Sequence, residues 1–218
     1  CRLFVTDVEA YKRTTNGALR ATTLLAVPVA LSCALFPDIG VAIYSRRSFV
    51  HAEDNLRILA MFLFLVYFSM PLGTALEAAG KQRHWAGVQA LCVVVSVVLD
   101  PILIPYFQRR NGNGGMGVCV AAVASEVLVV SCAVVLAPRG IFERRFWRTL
   151  LLAGISGLTM VAVARALAFL SPFVVAPFAL GAYVLVLWLT GALEPAYIEA
   201  LRAAVKRKLS RLRGVRNV

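Results

Sequence analysis

Six stretches of the chain, roughly 20–44, 56–79, 84–107, 116–137, 147–170 and 172–193, stay mainly apolar over 22–25 residues each. A helix needs about 20 such residues to cross the hydrocarbon core of a bilayer. Only helices and closed barrels satisfy their own backbone hydrogen bonds there. The pattern therefore predicts an all-α, polytopic membrane bundle of about six transmembrane helices. Composition agrees, with 60% of the 218 residues hydrophobic and 16% charged. Soluble domains sit near ~45–50% and ~25%. The formal net charge of +12 raises nucleic acid as a partner. A nucleic-acid binder, however, spreads Lys and Arg over one polar face, whereas here they lie between apolar runs. Nucleic acid is excluded.

Orientation follows from where the bases fall, because Lys and Arg collect on the cytoplasmic side. With six spans both ends share a side, and that side holds 17 of the 23 Lys and Arg. Five lie opposite, namely Arg46, Arg47, Arg57, Arg109 and Arg110, and Arg165 falls inside a span. The expectation is a multi-pass protein of the inner (cytoplasmic) membrane with both ends cytoplasmic. Residues 1–19 form a cytoplasmic connection, 20–193 the membrane domain, and 194–218 a basic amphipathic tail. In that tail Ile198, Leu201, Val205, Leu209 and Leu212 recur at helical spacing among Lys and Arg. Such a helix lies on anionic lipids of the bilayer surface.

Residues 111–126 read NGNGGMGVCVAAVASE, and Gly112, Gly114 and Gly117 match G-x-G-x-x-G. A dinucleotide site requires a preceding strand, a βαβ unit and an acid about 20 residues on. Here apolar spans flank the glycines, so no cofactor is expected. The packing reading fits better: Gly117, Ala121, Ala124 and Ser125 make a small-residue stripe that lets a neighbouring backbone approach. The loop before it supplies Asn and Gly, which tolerate the left-handed conformations of a tight outer turn.

Glu126 closes this stretch near the middle of the fourth span. An acid at that depth costs several kcal/mol unless it is neutral, paired or facing water, which makes it a functional candidate. It reads equally as an interhelix hydrogen-bonding group or as a site for proton, cation or substrate. Arg165, about a turn and a half from the outer end of the fifth span, either snorkels to the interface or faces inward toward Glu126 or an anionic substrate. Asp100 lies in the outer half of the third span, followed by Pro101 and Pro105, which can distort the helix and free carbonyls. Glu77 and Lys81 are spaced i,i+4 and read as a local pair. His51 and His84 lie in loops on opposite sides and suggest no metal. Four of the five cysteines lie in apolar runs without C-x-x-C spacing, so they read as packing residues. No Ser/His/Asp or paired-carboxylate arrangement supports catalysis, so the protein is not expected to be an enzyme. The chain opens on Cys1 without a signal-peptide pattern and is expected to be a piece of a longer protein.

Three stretches, taken in order, resemble one family. LLAVPVALSCALFPDIGVAIYSRRSF is similar to the helix and short outer loop that open the later part of polysaccharide flippases. DNLRILAMFLFLVYFSMPLGTALEAAGKQRHWAGVQ resembles their next helix, with its small-residue end and basic turn. GGMGVCVAAVASE resembles their run of Gly and small residues closed by Glu, here Glu126. The likeness, over about residues 2–170, is to oligosaccharide flippases of the multidrug/oligosaccharidyl-lipid/polysaccharide exporter superfamily. It implies transport of lipid-linked sugar across the cytoplasmic membrane by alternating access between two six-helix lobes. This chain would supply the C-terminal part, and an N-terminal lobe of the same protein would be its partner. The resemblance also implies a cationic cavity for a pyrophosphate-linked substrate, toward which Arg165 could contribute. The alternatives are a cation-coupled multidrug exporter of the same superfamily, a non-transporting membrane scaffold, and, less well supported, a membrane-embedded transferase.

Overall fold

The computed structural model describes residues 7–44 and 51–192. All regular secondary structure among them is helical: α1 (Val8–Leu35), α2 (Pro37–Tyr44), α3 (Ala52–Ala78), α4 (Gln82–Asn111), α5 (Gly114–Leu136), α6 (Arg144–Ala166) and α7 (Pro172–Leu189). All except the eight-residue α2 are long and apolar enough to cross a membrane. The protein is an all-α bundle of six membrane-spanning helices. The tail 194–218 lies outside the described residues.

The first apolar run departs from the expected single span. Its helix begins at Val8, where the Asp7 carboxylate accepts the Ala10 N–H at 2.8 Å and caps the free end. It stops at Leu35, because Pro37 has no N–H and disfavours helical geometry in Phe36 before it. The early turns are polar by composition yet buried by partners. The Tyr11 hydroxyl donates to Ala75 O at 2.8 Å, and the Asn16 amide donates to Ile141 O at 2.8 Å. Residues 8–19, expected to form a connection, thus continue the helix of the first span.

Glycines set the turns. At the end of α3, Gly80 is left-handed (φ 76°), and Gly80 N–H and Lys81 N–H bond back to Glu77 O and Leu76 O. That closure satisfies two carbonyls at the helix end. The end of α7 repeats it: Gly191 (φ 65°) and Ala192 bond back to Trp188 O and Leu187 O. Between α4 and α5, Gly112 (φ 68°) ends one helix and the Asn113 side chain caps the next, accepting from Met116 N. The glycine loop is a turn, as expected.

The helices pack in the lateral order α4, α5, α3, α1, α6, α7. Chain neighbours α4–α5 and α6–α7 form two antiparallel hairpins, one resting on α3 and the other on α1. The α1–α6–α7 core gathers Leu24, Val27, Ala153, Met160, Ala179 and Tyr183. A second core joins α1, α3, α5 and α6 through Leu19, Leu72, Leu76, Ala133 and Phe146. One end of the bundle carries Lys12, Arg13, Arg20, Lys81, Arg83, Arg139, Arg144, Arg145 and Arg148; the other carries Arg57, Arg109, Arg110 and Arg165. At the basic end, Lys81 donates to Leu136 O at 2.6 Å, placing a cation at the negative end of α5. Its ammonium thus ties the end of α3 to the end of α5.

Candidate functional site

The α4–α5 hairpin places polar groups at mid-membrane depth. The two helices approach tightly at Gly117, where an added Cβ would fall 2.6 Å from the Leu103 backbone. The buried stripe that makes this contact is Gly117, Ala121 and Ser125, which continues into Val129 and Ala133. Ala124 is exposed, contrary to its expected place in the stripe. A row of i,i+4 positions rotates about 40° per step, so by Ser125 the contact has turned away from Ala124.

Close packing brings hydroxyls together. Ser96 and Ser125 share a hydrogen bond of 2.9 Å, and the buried Cys92 thiol donates to Ser125 O at 3.6 Å. Glu126 follows directly. It lies twelve residues from Gly114 and ten from Leu136, about 18 and 15 Å from the two helix ends. Its side chain is half-buried, within electrostatic reach of Cys92. Among the described residues no Lys or Arg pairs with it; the ion pairs Lys12–Glu9 and Arg57–Asp54 are local i,i+3 contacts elsewhere.

Asp100 belongs to the same hairpin. It is half-buried on α4, four residues beyond Ser96 toward the end opposite the basic one. Ser96 faces Ser125 and the helices run antiparallel, so Asp100 lies about 6 Å to one side of that level and Glu126 about 1.5 Å to the other, roughly 7.5 Å apart along the axis. Pro101 and Pro105 sit inside a continuous α4. Lacking N–H groups, they leave the carbonyls of Val97 and Pro101 without their helical donors. Two carboxylates, two hydroxyls and two freed carbonyls thus concentrate on one helix pair. All offer oxygen, the donor set that suits protons and hard cations.

Arg165 is not brought to this site. It is exposed in the last turn of α6, and α6 packs against α1 and α7, with α3 and α1 standing between it and α5. Arg165 thus does not meet Glu126. The sequence-expected residues therefore separate: Glu126 and Asp100 share a hairpin, and Arg165 stands apart.

A second feature was not legible in the sequence. Helices α1, α3 and α6 enclose a groove of about 460 Å³, lined by Val27, Leu31, Ala60, Phe64, Gly157 and Val161 among other apolar residues. Among the described lining residues Arg57 is the only charged one, an exposed side chain 3.4 Å from Asp54. The signal lay in small residues at the facing positions (Ala30, Ala60, Gly154, Gly157), but helix order is needed to see that they converge. Among the described residues no group of three or more His, Cys, Asp and Glu side chains is placed to hold a metal ion.

No family model matches the chain, and no curated protein and no solved structure is significantly similar to it.

Proposed function

We propose that this chain is part of a membrane transporter that moves a lipid-linked oligosaccharide across the cytoplasmic membrane by alternating access, with both chain ends cytoplasmic. The observation that carries this reading is the groove between α1, α3 and α6, whose described lining residues are apolar apart from Arg57. An apolar cleft with one convergent polar group suits an amphiphile: a lipid chain along the groove, and a phosphate at the guanidinium through bidentate hydrogen bonds. The resemblance of the first, second and fourth apolar stretches to polysaccharide flippases supports the same reading. By that resemblance the six spans would match the last four helices of the second lobe plus two trailing helices, so the activity would belong to the full-length, two-lobed transporter. The test is deletion of the full-length gene. Expected are loss of surface polysaccharide and accumulation of its lipid-linked precursor on the cytoplasmic side; normal polysaccharide refutes the proposal.

One observation favours a second reading. The mid-membrane polar groups of the α4–α5 hairpin are acids, hydroxyls and carbonyls, with Arg165 away from them. Acidic groups at that depth suit a cation-coupled exporter of cationic compounds. Normal polysaccharide in the deletion strain, together with lost efflux of a cationic dye, would replace the first reading with this one.

A further inference from the structure

At the basic end of the α4–α5 hairpin, the two helices leave between them a groove of about 660 Å³ that takes part in neither reading above. Its α4 wall is an i,i+4 row of Arg83, Gly87 and Leu91, and its α5 wall a second row of Ser131 and Val135. Residues at that spacing share one face of a helix. Val88, Cys132 and Leu136 form the floor, and they belong to the small core that joins the two helices. Gly87 opens one rim, since a Cβ added there meets nothing within 4 Å. The other rim is Val135, 84% exposed.

Charge is confined to one end of this groove. Arg83 and His84 stand at its head, both exposed. His84, expected in a loop, belongs to the first turn of α4. Lys81 adds a cation at the same end, its ammonium held at 2.6 Å by the carbonyl of Leu136 in the groove floor. No carboxylate is among the described residues that line the groove. Below the head the described lining is apolar apart from Ser131 and Cys132, and the Ser131 hydroxyl donates to Val127 O in its own helix at 2.7 Å. Arg83 to Leu91 is eight residues, about 12 Å along the axis. That is most of one leaflet's half of a ~30 Å hydrocarbon core. A cationic head above an apolar trough of this depth matches an amphiphile of opposite charge.

We propose that Arg83 and His84, with Lys81 beside them, form a headgroup site for an anionic phospholipid of the surrounding leaflet, one acyl chain of which lies along the groove between Leu91 and Val135. The Arg83 guanidinium offers a phosphate paired N–H donors, and the His84 imidazole offers one more. Basic pockets between membrane helices hold anionic headgroups. The inference does not depend on what the protein transports.

The test uses the purified full chain in neutral detergent, titrated with short-chain phosphatidylglycerol, short-chain phosphatidylcholine and inorganic phosphate, and read by thermal unfolding. Phosphatidylglycerol is expected to raise the melting temperature saturably, with phosphatidylcholine inert. Stabilisation by inorganic phosphate at equal concentration would assign the site to a soluble phosphate and overturn the lipid source. Arg83→Gln alters one exposed side chain, should fold with unchanged helicity, and is expected to weaken phosphatidylglycerol binding tenfold or more. Arg144→Gln removes the same charge from an exposed arginine of α6, outside the groove, and should bind as wild type. Gly87→Leu fills the open rim without a clash at Cβ and should keep its helicity while losing the response to phosphatidylglycerol. Equal loss in Arg83→Gln and Arg144→Gln, undiminished binding by Gly87→Leu, or equal response to the two phospholipids overturns the proposal.

Discussion

Tyr183 in α7 donates its hydroxyl to the carbonyl of Leu24 in α1 at 2.9 Å, and the helical partner of that carbonyl would be residue 28, a proline. Pro28 has no N–H to offer, so the first span carries a carbonyl that only another helix can satisfy. Tyr183, 1% exposed, supplies the donor across 159 residues of sequence. Proline and tyrosine act together. Replacing Tyr183 by Phe leaves the buried carbonyl without a partner and should cost about 1–3 kcal/mol. In a Pro28→Ala background the restored N–H reclaims Leu24 O, and the same replacement should cost much less. Unfolding of the four proteins in detergent gives the coupling directly; additive costs would show that the two residues are independent.

Gly117 lies in tight contact with α4. A methyl group there meets the Leu103 backbone at 2.6 Å, and backbone cannot swing aside as a side chain does. Gly117→Ala should separate the helices, break the Ser96–Ser125 contact, and cost about 1–3 kcal/mol. Gly181→Ala, with nothing within 4 Å of the added carbon, is the control. It should be neutral or gain up to about 1 kcal/mol from helix propensity. Equal thermal stability of the two variants would refute the packing assignment.

Glu126 and Arg165 should behave oppositely in the full-length transporter. Glu126→Gln keeps the shape of a half-buried side chain while removing its charge, and should preserve the amount of folded protein but cut transport tenfold or more. Arg165→Gln, at an exposed helix end, should leave transport within about twofold of wild type. Complementation of a deletion strain, scored by surface polysaccharide and normalised to protein level, separates the two. Full activity of Glu126→Gln would return that carboxyl to a purely structural role.

Sidedness is open to direct labelling. Gln82, beside the Gly80 turn, and Asn111, beside the Gly112 turn, are both exposed at opposite ends of α4. With both chain ends cytoplasmic, a membrane-impermeant maleimide should label Asn111→Cys in intact cells and Gln82→Cys only after permeabilisation. The reverse pattern would invert the orientation drawn from Lys and Arg.

The spans were readable because a bilayer demands about 20 apolar residues whatever their neighbours. The turns were readable at Gly112 because a left-handed position at a helix end favours glycine. Tyr11 and Asn16 were not readable, since their partners, Ala75 O and Ile141 O, lie 64 and 125 residues away. The same reason hid the groove headed by Arg83, which entered the sequence reading only as a charge that orients the chain. Glu126 and Asp100 stood out as acids in apolar runs, but their shared hairpin follows from the Ser96–Ser125 register. The difference between α1 and the expected first span has a local cause at Pro37 and a distant one at Tyr11.

The lateral order of the helices also sets a timetable for biogenesis. When α4 leaves the ribosome it has little to hold it: its buried residues are Val88 and Cys92, and its chief neighbour, α5, has yet to be made. Helices α1 and α3 can pair at once, while α4 must wait in lipid until α5 arrives and carries it onto α3. The last hairpin then docks on α1, at the end of the row away from α4. A chain interrupted after α4 would strand that helix in the bilayer without its principal partner, in the form that membrane quality control removes.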